Sequence, residues 1–181
     1  MRNVLAAAIV ATVITGSVVS SQRPASQEAP TNKTLALRNA VLSRELFKKL
    51  APRAPGTIRA VVYDWDVDDG TATLVTFEDG ATSVYLSTGG GVIGAGKHEA
   101  VRRAAAAFRD EAARVRDSFT PATTFPLPDR GKSRVYLVTD TATLQSAAFS
   151  DAEVRAQRHP LQKLVQLGQD VFTAVREASS K

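Results

Sequence analysis

The chain has 181 residues, 44% of them hydrophobic and 23% charged, which suits one domain with a buried core and excludes a disordered chain. It has no cysteine, so disulfides, thiolate metal sites, cysteine nucleophiles and a lipid-modified cysteine are all excluded. The formal net charge is +5, but both signs are mixed along the expected helices as on ordinary solvated faces, so no nucleic-acid partner is expected.

Residues 1–21 read as an export signal. Arg2 gives a positive start, an apolar run over 4–14 is broken only by Thr12, and Val18, Ser20 and Ser21 offer small residues for cleavage. The run is shorter than the roughly 20 residues of a membrane span. Export to the periplasm or the extracellular space is therefore expected. An uncleaved N-terminal anchor is the alternative, and it is the only membrane contact expected. Residues 22–33 are polar with two prolines and read as a flexible spacer before a single domain over 34–181.

Thr34 is placed to cap a helix running to about Leu50, ended by Pro52 and Pro55. A three-stranded meander follows over 58–67, 71–78 and 81–88. Asp69-Gly70 and Asp79-Gly80 mark its tight turns, since both central positions of the favoured hairpin turn need positive φ. In the first strand Tyr63, Trp65 and Val67 fall on one side, and Ile58, Ala60 and Val62 on the other. A helix is expected over 97–119, with Val101, Ala105, Phe108, Ala112 and Val115 along one stripe. A proline-rich connection spans 120–132, then a strand 134–139 with a hairpin partner over 141–149. Ser150 and Glu153 match a capping box, and Pro160 suits the first turn of a last helix. The order α-β-β-β-α-β-β-α predicts an α+β domain: an antiparallel five-stranded sheet with helices mainly on one face. That order resembles the secretion-chaperone-like fold, an analogy of order alone.

The densest local signal is residues 87–101, STGGGVIGAGKHEAV, which holds five of the chain's 11 glycines. Glycine loses more backbone freedom on folding than other residues, so this density demands a reason. The ligand reading places an anion on Gly89, Gly90, Gly91, Gly94 and Gly96 at a helix start, with Lys97 adding charge and His98 or Glu99 handling protons. The architectural reading has the glycines carry the loop closely over the sheet. Two nucleotide patterns match in part, but His98 stands where the phosphate loop needs Ser or Thr, and the preceding strand belongs to a hairpin meander. His98-Glu99 opens a zinc-protease pattern that fails because Arg102 occupies the second histidine position. Asp64, Asp66 and Asp68 alternate along the first strand and lack calcium-loop spacing, so they read as an exposed strand edge. Trp65, the single tryptophan, reads as core or as a partly buried patch. No Ser-His-Asp spacing and no carboxylate pair stands out, and no metal or other cofactor is expected.

Residues 71–108 resemble a bacterial protein family sharing a TLV..DG..S.Y.STGGG.IG.G.HEAVR core, with further similarity at RVYLVTD and at HPL before the last helix. That family carries no known activity, so the resemblance implies no functional residues. The expected function is a non-enzymatic exported binding module acting through a protein or cell-envelope partner. The alternative is a small anionic-ligand-binding protein or enzyme with its site in the loop 89–99.

Overall fold

A computed structural model of the chain describes residues 32–156 and 159–180. The signal-like segment 1–21 and the spacer up to residue 31 lie outside the described residues. The domain is α+β, built on one antiparallel sheet with four α-helices among the described residues.

The sheet has eight strands rather than the expected five. Four match the expectation closely: β1 (Ile58–Val67), β2 (Gly70–Phe77), β3 (Thr82–Leu86) and a later strand at Lys132–Thr139. The extra ones are short: β4 (Gly91–Val92) inside the glycine loop and β5 (Thr120–Ala122) in the proline-rich connection. The Lys132–Thr139 strand is thus β6, and its expected single partner is split into β7 (Thr143–Gln145) and β8 (Phe149–Ser150). Strands of two or three residues leave no alternation to read, and Gly91 and Pro121 are poor strand formers. The strand path is β4-β3-β2-β1-β6-β7-β5, with β8 paired to β6, so β1 is central.

The helices do not keep mainly to one face. The helices α2 (Glu99–Arg114) and α4 (Gln162–Ser179) cover one side, where Val101, Phe108, Leu164 and Val171 pack on Val61, Tyr63, Leu74 and Leu137. The other side is covered by α1 (Lys33–Leu42) and a following 3-10 turn, with Val41, Leu42 and Phe47 on Ala60, Val62, Val75, Tyr136 and Val138. The reason is legible in β1, which is apolar at alternate positions on both sides and must bury both. A register shift between Ile58 and Ala60 turns Ile58 to the α2 and α4 side, away from Ala60 and Val62.

Helix bounds move for local reasons. The cap of α1 is Asn32, whose side chain accepts from the amides of Thr34 and Leu35, so Thr34 lies inside the helix. The helix ends well before Leu50, because Arg44 takes a left-handed φ of 66° after Ser43. The second helix starts at Glu99 and gives way to a 3-10 turn after Arg114, so it is shorter than 97–119. The short helix α3 (Asp151–Arg155) has both halves of the expected capping box: Ser150 accepts from the Glu153 amide, and Glu153 accepts from the Ser150 amide. Gly168 sets the depth of α4 on the sheet. A Cβ there would lie 2.8 Å from Cδ1 of Tyr63 and 3.2 Å from Cε2 of Phe108.

Candidate functional site

The glycine loop is built largely from contacts within the chain. Gly89 donates to the Leu86 carbonyl, Gly94 to Ser83 Oγ, Lys97 to the Gly94 carbonyl and His98 to the Ala95 carbonyl. Of the four amides from Gly94 to Lys97, those of Gly94 and Lys97 are thus directed to acceptors inside the fold, while Ala95 and Gly96 donate to no acceptor among the described residues. Two glycines are there for closeness. A Cβ on Gly91 would sit 2.1 Å from the Val84 carbonyl oxygen, and one on Gly96 would sit 2.1 Å from that of Gly80. Gly89, Gly90 and Gly94 face open space but take φ of 106°, 83° and 73°, a region that L side chains rarely adopt. Lys97 and Glu99 are exposed, and Glu99 lies 3.8 Å from Arg103. His98 caps α2 without a side-chain hydrogen bond.

The three aspartates of β1 do not share one fate. Asp68 is exposed, and Asp66 accepts from the Gly131 amide at 2.8 Å. Asp64 is fully buried and pairs with Arg38, itself 2% exposed, so it is no exposed edge. Arg38 Nε reaches both carboxylate oxygens at 3.2 and 3.0 Å, and Thr73 Oγ1 donates to Oδ1 at 2.5 Å. The remaining guanidinium donors bind Asn39 Oδ1 and the carbonyls of Phe125 and Pro126. This network fastens α1 and the proline-rich connection to the back of β1.

The front of β1 faces a cleft of about 700 Å³ between β1, α3 and α4. Its floor is the stacked pair Tyr63 and Trp65, with centroids 4.9 Å apart and planes 29° apart. Phe172 supports Trp65 edge-on from α4 at 5.2 Å. The α4 wall presents Gln162, Gln166, Gln169 and Asp170, and the α3 wall Asp151, Val154 and Arg155. Positions 162, 166 and 170 are four apart, so one helical face carries them. Gln169 Nε2 donates to the Tyr63 hydroxyl at 3.2 Å and fixes the floor to the wall. Burial raises the Tyr63 pKa. Hydrogen bonds with Gln169 and Ser133 oppose that shift, and the Asp151 charge adds to it, so the phenol stays protonated at neutral pH.

Sequence reasoning reached Tyr63 and Trp65 as neighbours on one side of a strand and did not reach the walls. Glutamines and an aspartate at helical spacing read as solvated surface until α4 is laid beside α3. The polar stripe 162, 166, 169, 170, running beside the apolar one, was the available signal. No protein-family model matches the chain, and no curated protein or solved structure is significantly similar to it. The resemblance in residues 71–108 thus adds no activity, and the functional reading rests on the site itself.

Proposed function

We propose that this domain is a non-enzymatic binding module that holds a small ligand in the cleft between β1, α3 and α4. The carrying observation is the aromatic floor. Tyr63 and Trp65 stack at the bottom of a concavity of about 700 Å³, walled by amide and carboxylate side chains. Concave sites of roughly 300–1,000 Å³, with an apolar base and a few convergent polar groups, suit small molecules. The lining groups are rings, amides, carboxylates, two valines and the guanidinium of Arg155, a mixture that can hold and orient a ligand. The floor belongs to a central strand and the α4 wall to a long helix, so the geometry is set by rigid elements. The setting we propose is the cell envelope, on the strength of the residues 1–21 pattern, with the ligand free or displayed by an envelope partner.

Trp65 is the chain's only tryptophan, so its emission reports this cleft without labelling. The test titrates sugars, amino acids, short peptides, polyamines and organic acids into the full-length protein, reading Trp65 emission and melting temperature. A ligand at 100 times its Kd adds about 2.7 kcal/mol of stability. A saturable emission change with a matching thermal shift, both weakened by Gln166→Ala, supports the proposal. A panel that moves neither signal, or a thermal shift with unchanged emission, sinks it.

A further inference from the structure

We infer that a second hollow, between the start of β1 and the last turns of α2, binds a carboxylate group carried by a small organic acid or an acidic peptide. It encloses about 360 Å³ and shares no residue with the cleft, so it stands or falls independently of it. Two guanidiniums line it, those of Arg109 and Arg116. Both side chains are half-buried, and neither forms an ion pair among the described residues. Nη1 of Arg109 is buried with no hydrogen-bond partner among them. A native fold seldom leaves a buried charged donor unmatched, because the lost water is not replaced. Burial lowers the Arg109 pKa from its ordinary value, and the charges of Asp110 and Asp79 oppose that shift. Arg116 Nη1 donates to the Gly56 carbonyl at 2.9 Å, a neutral acceptor that leaves its charge in place. Gly56 has a φ of 85°, and a Cβ on it would sit 2.8 Å from that Nη1, so the turn closes directly on the guanidinium and fixes it.

The charges around the hollow select a single negative charge. Glu78 also lines it, but its carboxylate is already paired with Arg53 at 3.1 Å and with the buried Arg59 at 3.0 Å. With Glu78 matched, two guanidiniums remain against one lining carboxylate, the exposed Asp110. One carboxylate neutralises that excess, whereas a multiply charged anion would overshoot it and meet Asp110 and Glu78. A guanidinium also meets a planar carboxylate through two parallel N–H donors. Ala113 stands between the two arginines in sequence, four positions from one and three from the other, and its methyl leaves the space between them open. Ile58 and Ala113 offer apolar surface to the carbon body of the ligand, and the Thr57 hydroxyl a further donor.

The experiment is an NMR titration of the full-length protein, following the Nε–H signals of Arg109 and Arg116. Propionate and benzoate are the free acids, a blocked tripeptide with one aspartate is the peptide source, and inorganic phosphate is the multiply charged anion. Saturable shifts of both arginine signals with a carboxylate probe are expected, with Trp65 emission unmoved. Arg109→Gln or Arg116→Gln should each weaken binding roughly tenfold, the effect of one charge-assisted contact. Ala113→Phe keeps both charges and fills the hollow, so it should abolish binding while the spectrum elsewhere stays that of the folded protein. Arg103→Gln, the same charge change at a side chain 75% exposed and outside the hollow, should leave binding unchanged. Binding tighter for the tripeptide than for both free acids would support the carboxylate and assign it to a peptide, and the reverse order would assign it to a small acid. Phosphate binding as tightly as the best carboxylate would overturn the assignment. So would undiminished binding in Ala113→Phe, which would reduce the effect to surface charge, or arginine signals that no carboxylate shifts.

Discussion

Asp64→Ala is the most informative single change in this protein. The carboxylate is completely buried and Arg38 is 2% exposed, so the pair is out of water. Removing Asp64 deletes the contacts of Arg38 Nε at 3.2 and 3.0 Å, that of Nη2 at 2.5 Å, and the bond from Thr73. The guanidinium then keeps only neutral acceptors: Asn39 Oδ1 and the carbonyls of Phe125 and Pro126. Breaking a buried pair from one side costs about 3–5 kcal/mol, because the surviving charge stays buried. At 2–4 °C per kcal/mol for a domain of this size, the melting temperature should fall by roughly 6–20 °C. Urea unfolding followed by Trp65 emission and far-ultraviolet circular dichroism measures the change. Arg38→Met combined with Asp64→Leu should cost less than Asp64→Ala alone, since no charge remains buried. A loss below about 1 kcal/mol for Asp64→Ala would refute this account. So would a double variant whose cost equals the sum of its two single changes.

Gly91→Ala, at φ 139° with a Cβ 2.1 Å from the Val84 oxygen, and Gly96→Ala, 2.1 Å from the Gly80 oxygen, should each cost on the order of 2–4 kcal/mol. Gly90→Ala meets open space and should cost only about 1 kcal/mol, and equal losses in urea unfolding would contradict the close-approach argument. Hydrogen bonds from the Ser150 backbone and side chain lower the Glu153 pKa, so its stabilisation is present above the unfolded carboxylate pKa and lost as pH falls through the folded value. Glu153→Ala should flatten the stability profile below about pH 4.5, and an unchanged acid limb would show that the box contributes nothing. Burial raises the Tyr63 pKa, so its contribution is complete below about pH 10 and is lost as pH rises toward the folded value. Tyr63→Phe should lessen alkaline destabilisation, as read by melting temperature against pH.

Local rules found what is local. The bounds of β1, the turn after it, the capping box at Ser150 and the apolar face of α4 each follow from residues within a few positions of one another. The glycine density was visible too, but its cause was not, because the Val84 and Gly80 oxygens touch Gly91 and Gly96 only once the sheet is assembled. Arg38 and Asp64 are 26 positions apart, and no pattern in either neighbourhood announces the partner. The aspartate alternation suggested an exposed edge because charged residues are seldom buried without a mate, and the mate was out of view. The cleft has the same history. Its floor comes from residues 63 and 65 and its walls from 151–155 and 162–170, so its polar residues looked like ordinary solvated helix faces.

Residues 63 to 65 carry contacts to both faces of the sheet. On a central strand, successive side chains go to opposite faces, so Tyr63 and Trp65 look toward α4 while Asp64 looks toward α1. Each face is then fixed by a different device. Behind the strand, the Arg38 pair is directional, because a fork of donors meets a carboxylate in few geometries. In front, Gly168 brings α4 down until the Tyr63 ring touches it, and Gln169 holds the hydroxyl. A ligand site gains from such restraint, since ring and wall positions held before binding need no ordering when the ligand arrives. The buried pair on the back of β1 joins α1 to the strand that carries the rings on its front. The exposed carboxylate of Asp170 can change without disturbing either.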